Sequence, residues 1–258
     1  RKGLNFRPPP FVCFVFRFRT LGFEDRFRKL LMRKSTLFIA LFLVLALSSC
    51  AEMRRDKNST AVDVVNQATE TVRRFKRMPD LKAFADHMPT ARGIVVLPSV
   101  IKGGFMFGGE GGNGVLMVKT QDGSWSPPAF YVLGAASLGI QMGLQDTEII
   151  LVLRSNGAVR AILDHQGKFG ADAGLTIGTI GQGAELSTTA NIGLDILAFA
   201  NSKIGFFGGA AFEGAVLARR VDLNEAYYGK GATPRSIVYQ GQWQNPHADA
   251  LRSALASP

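Results

Sequence analysis

This 258-residue chain has almost no cysteine: Cys13 and Cys50 are the two it holds. Two thiols cannot build the multi-bridge framework of a small secreted scaffold, nor a four-cysteine metal site. Histidine is nearly as scarce, with His87, His165 and His247 in unrelated segments. No HExxH pair or P-loop occurs, and no serine lies in a nucleophile elbow. Zinc hydrolysis, nucleotide-phosphate transfer and serine hydrolysis therefore have no motif behind them. The strongly apolar run at residues 37–47 falls short of the ~20 residues that cross a bilayer. No internal repeat of fixed period is present. An enzyme is not expected, and neither a cofactor nor a metal.

That apolar run follows Met32-Arg33-Lys34 and closes on Leu47-Ser48-Ser49-Cys50. A short positive region, an apolar stretch of about 7–15 residues and small residues before a cut are the parts of a secretory signal. Residues 32–49 read as a signal peptide, and the ending resembles the lipobox of bacterial lipoproteins. The resemblance implies that Cys50 carries the lipid and that residues 1–31, with their alternating Phe and Arg, are an over-long start outside the working protein. Ala51 stands after Cys50, where inner-membrane lipoproteins commonly carry aspartate. This implies the periplasmic face of the outer membrane of a Gram-negative bacterium. Residues 1–49 hold ten Lys/Arg and two Asp/Glu, so the chain's net charge of +10 leaves only +2 from Cys50 onward. The basic excess belongs to the leader, and no nucleic-acid partner is expected.

Residues 50–57 read as a tether, 58–240 as one domain and 241–258 as a polar, alanine-rich tail with one helical turn. Ala61, Val64, Val65, Ala68, Val72 and Phe75 recur at three- and four-residue steps, which predicts one face of an amphipathic helix. Asn58-Ser59-Thr60 offers its cap and Pro79 stops it. Asp80 is expected to cap a second short helix carrying Leu81, Phe84, Ala85 and Met88. Twenty-six of the 29 glycines lie between Gly93 and Gly231. Among them, the apolar runs at 94–97, 115–118, 129–133 and 149–153 predict strands. Residues 168–176 alternate apolar side chains with a half-glycine face, the pattern of a sharply bent sheet or a close backbone approach. Ser155 is expected to cap a helix over 156–166. Asp222-Leu223-Asn224-Glu225 has capping-box spacing for another ending at Tyr228-Gly229. The expected fold is α+β, with N-terminal amphipathic helices packed on a strongly curved, mostly antiparallel β-sandwich or barrel.

Gly109-Glu110-Gly111-Gly112-Asn113-Gly114 satisfies GxGxxG by letter. A dinucleotide site needs a helix start after that pattern, whereas valine-rich strand sequence follows here, so a hairpin turn is expected instead. Asp222, Asn224 and Glu225 are oxygen donors at a helix start, which reads as a cap rather than a cation site.

In order along the chain, several stretches resemble the SYLF domain, a lipid-binding family also described as an actin-binding domain in yeast. They are Ala91-Arg92-Gly93-Ile94, Lys102-Gly103-Gly104-Phe105, the glycine run from Gly108 to Val115, and Trp125-Ser126-Pro127-Pro128-Ala129-Phe130. Phe169-Gly170-Ala171-Asp172-Ala173, the stretch from Gly208 to Gly214, and Asn224-Glu225-Ala226-Tyr227-Tyr228-Gly229 complete the set. Gly178-Thr179-Ile180-Gly181 departs from the family's usual Gly-Pro pair and is expected to loosen one turn. The resemblance implies a non-catalytic domain that associates with a phospholipid membrane. A module binding an envelope protein partner is the alternative. Bacteria generally lack phosphoinositides and actin proper, so neither ligand of the eukaryotic members carries over.

For an anionic headgroup the candidate residues are Arg73, Arg74, Lys76, Arg77 and Lys82, with Lys102 a further one. Helical angles place the basic group opposite the Ala61–Phe75 stripe. If that stripe packs on the sheet, only the charges can reach a membrane; if it leaves the sheet, the helix can lie in the interface. Trp125 could meet acyl chains, although core packing is the default for such a ring.

Overall fold

Asp56 opens the first helix, its carboxylate accepting from the Ser59 N–H at 3.2 Å. The computed structural model describes residues 56–79, 82–105, 107–138, 143–165, 177–181, 195–204 and 215–257. The leader, Cys50, Asp80 and the alternating stretch at 168–176 lie outside these. Helix α1 (Lys57–Arg77) ends where Met78 turns extended before Pro79, since proline disfavours helical geometry in the residue preceding it. Its predicted stripe is the buried face, with Ala61, Val65, Ala68, Val72 and Phe75 fully covered. Burying Val64, Val65, Val72 and Phe75 stabilises the helix on the sheet by roughly 8 kcal/mol. The stripe is thus committed to the core rather than to a lipid interface. Helix α2 (Lys82–His87) follows, with Phe84 packed edge-on against Phe75 at 5.9 Å and Phe199 at 5.7 Å.

Among the described residues seven strands form one sheet: β1 (Gly93–Phe105), β2 (Phe107–Val118), β3 (Ala129–Leu138), β4 (Gly143–Leu153), β5 (Ile177–Gly181), β6 (Ile196–Ile204) and β7 (Val216–Arg219). The order is β5-β6-β4-β1-β2-β3-β7. Every pairing is antiparallel except β5 on β6. The α+β class and the antiparallel sheet agree with expectation, but among the described strands the sheet is open. Nor do they supply a second sheet for a sandwich.

Instead, helices cover both faces. Ile94, Val96, Val115, Met117, Ile150 and Val152 face α1, α2, α4 (Val221–Tyr228) and α6 (Asp249–Ala256). Val95, Leu97, Leu116, Leu151 and Leu153 pack with α3 (Asn156–His165) and α5 (Pro234–Tyr239). A sheet buried on both faces needs unbroken apolar runs rather than alternation, which is why residues 94–97 and 149–153 read as they do. The Ser155 cap holds, its Oγ accepting from the Ala158 N–H at 3.0 Å.

Four local expectations are corrected. The glycine run lies inside β2, not in a turn. Its glycines make room for β1, whose register shifts around Pro98-Ser99. A Cβ on Gly112 would stand 2.1 Å from the Ser99 carbonyl oxygen, and one on Gly114 2.4 Å from that of Val96. Gly178-Thr179-Ile180-Gly181 belongs to β5, the outermost of the described strands on its side, rather than to a turn, and an edge is where a sheet tolerates proline.

The start of α4 has no side-chain cap. Asp222 sits in the first turn and accepts from Arg220 at 2.8 and 2.9 Å. That guanidinium holds the Asp222 carboxyl down at about 2. Asn224 is fully buried and bonds both backbone groups of Phe130, at 2.9 and 3.1 Å. Gly229 then ends the helix at φ 125°, a conformation that glycine adopts freely.

The supposed tail is a 3₁₀ turn (Pro246–Ala248) and then α6, with Leu251 fully buried and Leu255 nearly so against α1. The polar composition of residues 240–250 masked the Leu251, Ala254, Leu255 spacing, itself helical.

Candidate functional site

Glu148 organises the basic end of α1. It stands on β4 with its side chain 2% exposed, and a lone carboxylate there would be costly. Thr71 donates to its Oε1 at 2.7 Å, Arg74 donates to the same oxygen at 2.5 Å, and Asn201 of β6 donates to Oε2 at 2.9 Å. Arg74 is therefore drawn inward to lock α1 onto the sheet. A buried acid in the run Thr147-Glu148-Ile149 was the sequence signal for this, and nothing in helical spacing reveals its partner.

The other candidates divide by geometry. Arg73 and Arg77 are exposed on the outer side of α1. Arg73 pairs with Glu70 at 2.7 Å, and Arg77 donates from Nε to the Arg73 carbonyl at 3.2 Å. Lys76 turns the other way, donating to the carbonyls of Leu255, at 3.2 Å, and Ser257 at the end of α6. Those carbonyls lack helical partners and carry the negative end of the helix dipole, so an ammonium satisfies them. Partial burial pushes the Lys76 ammonium down from its ordinary pKa. Lys102 lies apart on β1, 3.9 Å from Glu110 of β2. Burial pushes the Glu110 carboxyl up while Lys102 opposes it. The side chain of Lys82 is outside the described residues. Three of the six candidates, Arg73, Lys76 and Arg77, therefore share one end of α1 without being spent on Glu148.

Lys76 also borders a cleft of about 260 Å³, a feature the sequence reading missed. Lys76, Met88, Lys119, Trp125, Leu255 and Ser257 line it. Lys119 donates to the Pro89 carbonyl at 3.3 Å and stands 5.8 Å from the centre of the Trp125 ring. Trp125 is 4% exposed, so it serves as both core and cleft wall. Asp122, on the same loop, accepts from Thr120 and Ser124 and makes no ion pair with either lysine.

No constellation for catalysis assembles among the described residues, and no group of three His, Cys, Asp or Glu there could hold a metal. His87 leans on Phe199 with ring centres 6.2 Å apart. Burial first, then Arg154, pushes its pKa down while Asp86 opposes them, and the ring is half-buried at the edge of the core. No helix among the described residues is long and apolar enough to cross a membrane.

A family model described as "Las17-binding protein actin regulator", Ysc84, matches residues 134–257. Protein YSC84 of Saccharomyces cerevisiae is 31% identical over 169 residues, covering 65% of this chain and 36% of that protein. LAS seventeen-binding protein 3 of the same yeast is 29% identical over 174 residues, covering 67% and 38%. SH3 domain-containing YSC84-like protein 1 of Homo sapiens is 25% identical over 198 residues, covering 76% and 57%. The chain spans 36% to 57% of the length of these three relatives.

Proposed function

Because this chain belongs to the SYLF family, we propose that it is a non-catalytic module that binds anionic phospholipid headgroups through the outer basic end of α1. The observation that carries this is the division of labour on one helix. The apolar stripe is buried and Arg74 is consumed by Glu148, while Arg73 and Arg77 remain exposed and Lys76 of the same turn lines a cationic cleft. Cations near an anionic surface contribute about 1 kcal/mol each, so recognition is electrostatic and peripheral. The purified, unlipidated domain beginning at Ala51, free of the basic leader, should co-sediment with phosphatidylglycerol vesicles at least tenfold better than with phosphatidylcholine vesicles at low salt. Equal partitioning to both would remove the proposal.

The lipobox-like ending at Cys50 extends the reading to a lipoprotein tethered to the periplasmic face of an outer membrane. Acyl burial supplies about 0.8 kcal/mol per CH₂, which far exceeds the basic turn and leaves the domain free to engage a second lipid or bilayer. Labelled palmitate should enter the wild-type chain in a Gram-negative host and not the Cys50→Ser variant. Equal labelling of both would refute the anchor. A second reading, an envelope protein partner, draws on the names of the matching family model and of one yeast relative, both of which speak of Las17 binding. Crosslinking in that host would then recover a stoichiometric protein, with phospholipid absent.

A further inference from the structure

We propose that the cleft between α1, the turn after α2, the loop joining β2 to β3 and the end of α6 is a binding site for a phosphate group carried on an apolar stem. Lys76 and Lys119 would hold the phosphate, and Met88, Trp125 and Leu255 the first carbons. This rests on the headgroup reading above and gives it a defined seat.

Two observations carry it. The first is charge without counter-charge. Among the described residues Lys76 and Lys119 form no ion pair, and their donors reach only the carbonyls of Leu255, Ser257 and Pro89 and the Ser257 hydroxyl. Lys119 spends one of its three donors on Pro89, while the three of Lys76 meet only neutral oxygens that a phosphate would replace. An arriving phosphate adds charge-assisted bonds, stronger than those to neutral acceptors. Lys76 is partly desolvated already, and its depressed pKa reflects burial with no acid to offset it. An anion would remove that penalty.

The second is the wall. Trp125, Met88 and Leu255 give the cleft apolar walls beside its two cations. Inorganic phosphate alone would leave those walls unused. The volume of about 260 Å³ falls just below the ~300–1,000 Å³ of pockets that enclose whole drug-sized ligands. It fits a headgroup and the start of a chain, with the remainder of a lipid left in its bilayer.

Titration calorimetry on the full chain tests this, with dioctanoyl phosphatidic acid, dioctanoylglycerol and inorganic phosphate as separate probes. Phosphatidic acid should bind at least tenfold more tightly than either of the others. Lys119→Gln, which gives up the Pro89 carbonyl and the contact with the Trp125 ring, should weaken that binding about tenfold with a melting temperature within about 2 °C of wild type. Lys76→Gln should weaken it similarly, with some loss of stability because α6 loses its terminal donor. Equal affinity for inorganic phosphate, or wild-type affinity in Lys119→Gln, would overturn the site. Vesicle binding that persists in both lysine variants but needs Arg73 and Arg77 would overturn the cleft alone. Failure of the wild-type chain to prefer anionic vesicles would remove the headgroup reading itself.

Discussion

Replacing Arg74 with Met should lower the stability of the domain by about 3 kcal/mol, whereas the same change at Arg73 or Arg77 should move it by less than about 0.5 kcal/mol. All three are arginines on one helical turn, but their partners differ. Arg73 has a solvated carboxylate, and exposed pairs of that kind contribute little. Arg74 neutralises Glu148, whose side chain is 2% exposed. Removing one partner of a buried pair typically costs about 3–5 kcal/mol, because an uncompensated charge stays behind. The lower end applies because Thr71 and Asn201 still donate to the carboxylate, and because Arg74 is itself 44% exposed. Urea unfolding of the three variants, followed by far-UV dichroism, separates them. Equal, small effects would mean that Arg74 is a surface cation like its neighbours.

Gly112→Ala should cost about 3 kcal/mol, while Gly134→Ala on the adjacent strand should be nearly neutral. Both glycines sit in the sheet. At Gly112 the new carbon would lie 2.1 Å from a backbone oxygen and 3.0 Å from the Val100 Cα. No side chain can move aside there, so the irregular stretch of β1 must be displaced. Overpacking of this kind costs about 1–3 kcal/mol, and the rigidity of a backbone neighbour puts it at the upper end. At Gly134 nothing lies within 4 Å of the added atom. Thermal melts of the two variants decide the matter. A mild Gly112→Ala would show that β1 can yield, and that the glycine run is there for some other reason.

These two residues also show what the sequence could and could not disclose. The stripe from Ala61 to Phe75 was legible because one face of α1 is buried and the other wet, so periodicity survives. The strands lost their alternation because helices cover both faces of the sheet; only their length and β-branched content marked them. The glycines at 109–114 suggested a turn, since the need for space beside a distorted neighbouring strand leaves no trace in local sequence. Asp222 resembled a cap because the pull of Arg220, two residues earlier, does not enter a spacing rule. For the site, residue type found the basic end of α1. Spacing could not sort Arg74, turned toward an acid 74 positions on, from Arg77, turned to solvent. Lys119 and the cleft were missed because their neighbours come from four separate segments.

The most direct test of the central claim is the affinity of the Arg73→Glu/Arg77→Glu variant for phosphatidylglycerol vesicles, measured beside Arg74→Met at equal folded concentration. Headgroup recognition at the outer face of α1 predicts at least a tenfold loss for the double charge reversal and near wild-type binding for folded Arg74→Met. Undiminished vesicle binding by the charge-reversed chain would contradict it.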